Sequence, residues 1–258
     1  MLKIDHLSHS SISTYLLCPL SWKFHYMDNH RAPANTSLVM GSAWHDMAED
    51  YAKGLITNLE KGFCDALDRR MRRERIRFGP GETLASLKER GKELLQSEDV
   101  RMALDQLRAL TDPMIPNCIE REVYMKVSEV PVPVKGYIDV LQKDGIPADI
   151  KTTSSKKGWD REKAEKEYQP LVYLGALAQA GLEVPGKRFR HYTFNFTTGG
   201  AIIFDVAHTD QEIFEYMDIV RQVWRGIEAE VFTPHHGGGW KCSKSFCDHW
   251  DICTQKGH

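Results

Sequence analysis

The sequence predicts an α/β chain, a mixed β-sheet flanked by helices, on three observations. Apolar residues recur at helical spacing as far as about Leu110. After Pro116 alternating runs rich in β-branched and aromatic residues take over, and these runs are interleaved with helical ones. The order is helices, three strands, helix, two strands and helix, which suits a sheet covered on its faces by helices. The 258 residues suffice for a sizeable core. They are read as one domain over 1–258, with a helical part at about 10–111, a sheet core at about 116–207, and a C-terminal helix with a cysteine cluster at about 210–253.

Each element has its own signal. Ser10, Ser11 and Ser13 precede an apolar-periodic run reaching Cys18, and Pro19 opens a second short helix through Tyr26. A polar loop follows at 28–36. From Ser37 to Lys53, Trp44, Met47, Ala48 and Tyr51 fall at i, i+3, i+4 and i+7 of an amphipathic helix. Further helices run to about Leu110, broken near "FGPGE". "CIEREVYMKV", "VPVKGYIDVLQ" and "IPADIKT" read as strands. "REKAEKEYQPLVYLGALAQAG" reads as helix, with Pro170 implying a kink or a fresh start. "RFRHYTFNF" and "AIIFDVA" are two more strands, before a helix at about 210–230.

Hydrophobic residues at 41% and charged residues at 27% exclude a disordered or collagen-like chain. No apolar run reaches membrane-spanning length. "MLKIDHLSHSSISTY" lacks the apolar core and cleavage site of a secretory signal, which points to the cytoplasm. A formal charge of −2 excludes a globally basic nucleic-acid binder but leaves local patches open. One such patch is "RRMRRERIR" at 69–77, equally a solvated helix face or a phosphate contact.

The hairpin "GYIDVLQKDGIPADIKTT" carries the chemistry. Its "KDG" suits a three-residue connection whose Gly145 takes the left-handed position of a bulge, so that Gln142 faces Ile146. Asp139 then faces Asp149 and Tyr137 faces Lys151, while Ile138, Val140, Ala148 and Ile150 form an apolar face. A two-residue turn would put the acids on opposite faces. Opposed carboxylates repel unless a cation lies between them, and hard oxygen ligands suit Mg²⁺ or Mn²⁺. The competing reading is a pair of solvated acids neutralised by Lys151.

Two further pairs accompany the hairpin. His45 stands four residues after Gly41 on one helix face, with Ala48 and Ala52 near, and Gln169 and Tyr173 stand at i and i+4. In order and type the set resembles the RecB-type nucleases of the PD-(D/E)xK superfamily, a family that includes phage exonucleases and the CRISPR-associated adaptation nuclease. Gly41 to His45 matches G-x-x-x-H, Gly136 to Asp139 matches G-x-x-D, Asp149 to Lys151 matches D-x-K and Gln169 to Tyr173 matches Q-x-x-x-Y. The opening "SSISTYLLCPLSWKFHY" is similar to the family's N-terminal signature. Residue 138 is Ile where the superfamily's name has Pro, and Pro170 interrupts the Q-x-x-x-Y stretch.

The resemblance implies a restriction-endonuclease-like fold with a helical insertion. It also implies that His45, Asp139, Asp149 and the Ile150 carbonyl bind one or two Mg²⁺ or Mn²⁺ ions. Lys151 would orient the attacking water, Gln169 and Tyr173 would position the lysine or the phosphate, and Glu122 stands in the strand where some relatives carry an acid.

Six cysteines in an inferred cytoplasmic protein point to thiols or a metal site rather than disulfides. Cys242, Cys247 and Cys253 form C-x4-C-x5-C, and Cys64 and Cys118 read as buried apolar residues. By resemblance Cys18 completes a four-thiolate site for a [4Fe-4S] cluster joining the N- and C-terminal regions, although relatives usually begin with C-x2-C. Zinc is the alternative, with His235, His236 and His249 near in sequence.

Thr152, Thr153, Ser154, Lys156, Lys157 and Trp159 follow Lys151 and offer phosphate contacts and a stacking surface. The expected activity is a metal-dependent deoxyribonuclease, more exonuclease than endonuclease, acting on single-stranded DNA or duplex ends in a prokaryotic cell or phage-infected host. A helicase or recombination protein is an expected partner. The alternative is a non-catalytic, metal-stapled DNA-binding subunit of a larger repair or adaptation complex.

Overall fold

The computed structural model describes residues 4–235, 242–244 and 246–255. Along the chain lie β1 (Leu7–Ser8), α1 (His9–Leu17), α2 (Pro19–Tyr26), β2 (Ala34–Asn35), α3 (Thr36–Ala52), α4 (Leu59–Arg73), β3 (Ile76–Arg77), α5 (Leu84–Leu95) and α6 (Glu98–Leu110). After them come β4 (Ile119–Met125), β5 (Val134–Leu141), β6 (Pro147–Thr153), α7 (Arg161–Glu165), α8 (Gln169–Gln179), β7 (Arg188–Asn195), β8 (Gly200–Ala207), α9 (Asp210–Glu228) and α10 (Trp250–Gln255). The chain forms two compact units, one from residues 1–32, 124–136 and 210–258 and the other from 33–123 and 137–209.

In the larger unit the sheet is mixed. β6 runs antiparallel to β5 and parallel to β7, and β7 is antiparallel to β8. The hairpin register is the expected one: Val140 faces Ala148, Leu141 faces Pro147, and Gln142 N–H donates to the Ile146 carbonyl at 3.1 Å. Gly145 sits at φ +77°, a left-handed position that costs glycine nothing. A buried polar network fixes the turn to β7. Arg190 donates to Gln142 and to Asp144, both at 2.6 Å, and Gln142 donates to the Tyr192 hydroxyl at 2.9 Å.

Helix α3 lies against this sheet, and its i, i+3, i+4 stripe explains why. Trp44, Met47 and Ala48 are wholly buried, in one cluster with Phe63, Leu67, Leu104, Val140, Ala148, Ile150 and Phe194. The Trp44 ring meets Phe194 at 5.1 Å and Phe63 at 5.8 Å. Each such side chain contributes about 1.5–3 kcal/mol on burial, so this cluster holds α3 in place. Asn35 caps the helix, its side chain accepting the Leu38 N–H at 2.8 Å. The helix therefore starts at Thr36, inside the span read as loop.

In the smaller unit β1 pairs parallel with the start of β5. Ser8 and Ser11 form a capping box on α1, which gives the spaced serines of the opening a structural role. The Tyr15 hydroxyl donates to the Val231 carbonyl at 2.7 Å, and Trp22 stacks on Phe232 at 5.9 Å.

The structure decides between two readings of one stretch and corrects one cysteine. Pro170 lies in the first turn of α8, so α7 and α8 are separate helices and the proline marks a fresh start. Cys64 is only half-buried, because on α4 it lies beside the Phe63, Ala66 and Leu67 stripe rather than within it. Cys118 is buried as expected. The two-residue strands β1, β2 and β3 carry no periodicity of their own. No helix among the described residues is long and apolar enough to cross a membrane.

Candidate active site

Gly41 governs how closely α3 approaches β6. A Cβ there would lie 2.7 Å from the Thr152 Oγ1, so any larger residue would have to turn that hydroxyl away. One turn on, that approach brings His45 to the hairpin acids, with its Nδ1 3.5 Å from Asp139 Oδ2. The G-x-x-x-H spacing thus sets a close helix–strand approach and, one turn on, a histidine beside the acids.

Both acids are buried, Asp139 at 7% and Asp149 at 1% exposure, so they do not form a solvated face. Asp139 Oδ2 accepts the Ile150 N–H at 2.7 Å, a bond that places its carboxyl inside the hairpin. Lys151 Nζ donates to Asp149 Oδ1 at 3.0 Å and to Gln169 Oε1 at 2.5 Å, and Gln169 Nε2 donates to the Tyr173 hydroxyl at 2.6 Å. Gln169 is therefore aimed at the lysine despite the neighbouring Pro170. Lys151 Nζ also lies 2.9 Å from Asp149 Oδ2, but off the geometry of a hydrogen bond, and that oxygen has no donor.

The electrostatics follow from burial and charge. Burial and the Asp149 charge push the Asp139 carboxyl well above the usual carboxylate range. Burial opposes ionisation of Asp149 too, yet Lys151 and His191 draw it down to about 2. The two neighbouring charges thus oppose each other, and the shift to higher pKa falls on Asp139. Burial lowers the His45 pKa, which keeps the imidazole neutral as a metal ligand must be. Lys151 is held above its ordinary value, because Asp149 outweighs its burial.

His45, Ile150 and Lys151 line a cavity of about 900 Å³, joined by Thr152, Thr153 and Ser154. Two buried acids, one with an oxygen that has no donor, a neutral imidazole and a backbone carbonyl make a donor set that suits a hard dication. Among the described residues, no three His, Cys, Asp or Glu side chains stand close enough to clasp an ion as they are.

Three residues in this region escaped the sequence reading. Glu49 follows His45 by one helical turn, a spacing that could have revealed it, and faces Glu120 across the cavity. Burial and the Glu120 charge raise Glu49 to about 8. Glu122 does not approach the site; it accepts from the Tyr137 hydroxyl, while Glu120, at φ +51°, leaves the strand alternation and lines the cavity. The third is His191, a polar residue inside the apolar run of β7.

The arginine run is divided. Arg70 grips Asp46 with two bonds of 2.6 and 3.0 Å and Arg69 pairs with Asp50, whereas Arg72, Arg73, Arg75 and Arg77 are exposed. Trp159 does not line the cavity; it packs on His191 at 5.3 Å and under Lys163 at 4.4 Å. Lys156 and Lys157 are exposed, Lys157 pairing with Asp160.

In the smaller unit, Cys18, Cys242, Cys247, His25, His235 and His249 line a second cavity of about 460 Å³. Cys18 caps α2, its sulfur accepting the Ser21 N–H at 3.4 Å. The Cys247 thiol is pushed up by burial and then by the thiols of Cys18, Cys242 and Cys253, so the four expected cysteines are electrostatic neighbours. They do not form a ready metal group among the described residues. His236 lies outside those residues.

A family model, the PD-(D/E)XK nuclease superfamily, matches residues 6–254. Among solved structures, the chain is similar to a Eubacterium rectale protein named provisionally as an exonuclease. The identity is 14%, the TM-score 0.59, and 95% of this chain and 88% of that one are covered. That likeness concerns the fold. A second structure, SSO0001, aligns over 92% of this chain and 95% of its own at 15% identity, with a TM-score of only 0.39. No protein of curated function matches. The mixed sheet flanked by helices, the acids facing each other across its hairpin and the match over nearly the whole length agree: the chain belongs to the PD-(D/E)XK nuclease superfamily.

Proposed function

We propose that this nuclease is a metal-dependent deoxyribonuclease of the RecB-type branch, acting as an exonuclease on single-stranded DNA or duplex ends. The carrying observation is the convergence of five side chains beside one cavity: His45 and Lys151 line it, Asp139 lies 3.5 Å from His45, and Asp149 and Gln169 accept from Lys151. His45, both aspartates and the Ile150 carbonyl would hold Mg²⁺ or Mn²⁺. Bound there, the ion supplies Lewis-acid polarisation of the phosphodiester and lowers the pKa of a water. Lys151 orients the attacking water, and Gln169, backed by Tyr173, fixes the lysine. Thr152, Thr153 and Ser154 offer hydroxyls to the backbone phosphates. The exposed arginines of 72–77 offer a basic approach, so salt weakens binding steeply. The preference for ends rests on the family branch and on the provisional name of the similar structure. Recombination, repair or phage DNA metabolism in the cytoplasm suits such an activity, with a helicase or recombination protein as partner.

Cys18, Cys242, Cys247 and Cys253 would hold a [4Fe-4S] cluster. Cys18, Cys242 and Cys247 line a cavity of about 460 Å³, wider than one zinc needs, whose donors must all lie about 2.3 Å from a single point, and the Cys253 thiol is an electrostatic neighbour of Cys18 and Cys242. Closing the chain between residues 18 and 242 is worth about 5 kcal/mol by loop entropy, so the cluster is structural.

Digestion of end-labelled single-stranded DNA with Mn²⁺ tests the activity. Wild type is expected to release nucleotides and Asp149→Ala to release none. Equal digestion by the two removes the catalytic assignment.

A further inference from the structure

His191 stands on β7 in register with Asp149 on β6. Its side chain is wholly buried, and neither ring nitrogen has a hydrogen-bond partner. Its Nδ1 lies 3.9 Å from Asp149 Oδ2, the carboxylate oxygen that also lacks a donor. Two orphaned polar atoms therefore face each other across paired strands. A buried polar group left unmade costs about 1–3 kcal/mol, and closing this gap needs only about 1 Å of movement. The aspartate's terminal torsion is broad and soft, so the carboxylate can turn. The imidazole is walled by Phe189 at 4.9 Å and Trp159 at 5.3 Å, so it stays in place. Because neither nitrogen has another partner, Asp149 decides which one carries the proton.

We propose that His191 is a positioning residue: its Nδ1–H donates to Asp149 Oδ2 and so fixes the carboxylate rotamer that presents Oδ1 to the dication. The inference rests on the reading of Asp149 as a metal ligand. Lys151 donates to Asp149 Oδ1 and lies 2.9 Å from Oδ2 without bonding it. Hydrogen bonds behind metal-ligating side chains typically govern about 10–100-fold in metal affinity. Sequence alone hides the role, because a histidine among Phe189, Tyr192 and Phe194 reads as core.

Mn²⁺ titration by calorimetry on the full chain tests it, with wild type, Asp149→Ala, His191→Phe and His191→Asn. Phenylalanine keeps the ring shape without a donor, and asparagine keeps a donor near the Nδ1 position. His191→Phe is expected to bind Mn²⁺ about 10–100-fold more weakly, and His191→Asn close to wild type. Equal affinity of His191→Phe and wild type, or equal losses in both variants, overturns the proposal. If His191→Phe does not fold, ¹⁵N-histidine spectra of wild type decide. The His191 Nδ1–H resonance must shift on adding Mg²⁺, and one that does not respond overturns the proposal. Wild type and Asp149→Ala binding Mn²⁺ alike would remove the metal site itself, whereas loss in Asp149→Ala alone removes only the role of His191.

Discussion

Asp139→Asn should stabilise the metal-free protein, by an amount that grows with pH. Asp139 is buried beside Asp149, so in the folded chain its carboxyl keeps its proton to well above the usual range. In the unfolded chain it ionises near pH 4. Between those limits the native state binds the extra proton, so stability falls as pH rises, by about 1.4 kcal/mol per pH unit. The penalty is absent below the unfolded pKa and levels off above the folded one. Asparagine keeps an oxygen for the Ile150 N–H, which Asp139 accepts at 2.7 Å, and never ionises. The variant should match wild type near pH 4 and exceed it by a margin that widens as pH rises, at no more than about 1.4 kcal/mol per pH unit. Asp149 acts in the opposite sense: its pKa of about 2 gives stability that is present above the usual carboxylate value and lost as pH falls through 2. Between pH 4 and 6 the raised Glu49 and the lowered His45 contribute to wild type and variant alike, so the difference between the two reads Asp139. Urea unfolding in EDTA across that range measures the difference, with m unchanged. A difference that is constant with pH, or a variant less stable at pH 6, refutes the like-charge account.

Lys151→Ala should lower kcat by ~10²–10⁴ while Mn²⁺ affinity, read by calorimetry, is retained; a matching loss of affinity would make the lysine part of the metal site. Arg72→Ala combined with Arg73→Ala should flatten the plot of log K against log salt by about 0.7 per phosphate contact on single-stranded DNA, with kcat unchanged. Anaerobically purified protein should show broad visible charge-transfer absorbance that Cys247→Ser abolishes together with much of the thermal stability; a colourless protein carrying stoichiometric zinc would replace the cluster with that ion.

Most of the fold was legible because local signals agreed with the final structure. The Trp44, Met47 and Ala48 stripe fixed α3, and the "KDG" turn fixed the register that makes Asp139 and Asp149 face each other. The site's outline was legible for the same reason, since register and helical spacing bring His45, Asp139, Asp149 and Lys151 together. What stayed hidden depends on non-local geometry. Glu120 reaches the cavity through a left-handed backbone step that alternation cannot foresee, whereas Glu122, the acid the resemblance pointed to, bonds Tyr137 instead. His191 gains meaning only once β7 is paired in register with β6. Trp159, read as a stacking surface for bases, instead covers that histidine, a contact no spacing encodes.

Anomalous diffraction from crystals soaked in Mn²⁺ tests the central claim most directly. The account predicts a peak bounded by Asp139, Asp149, His45 Nδ1 or Nε2 and the Ile150 carbonyl, with Lys151 drawn off Asp149. A map in which manganese binds elsewhere and these side chains keep their metal-free hydrogen bonds would contradict it.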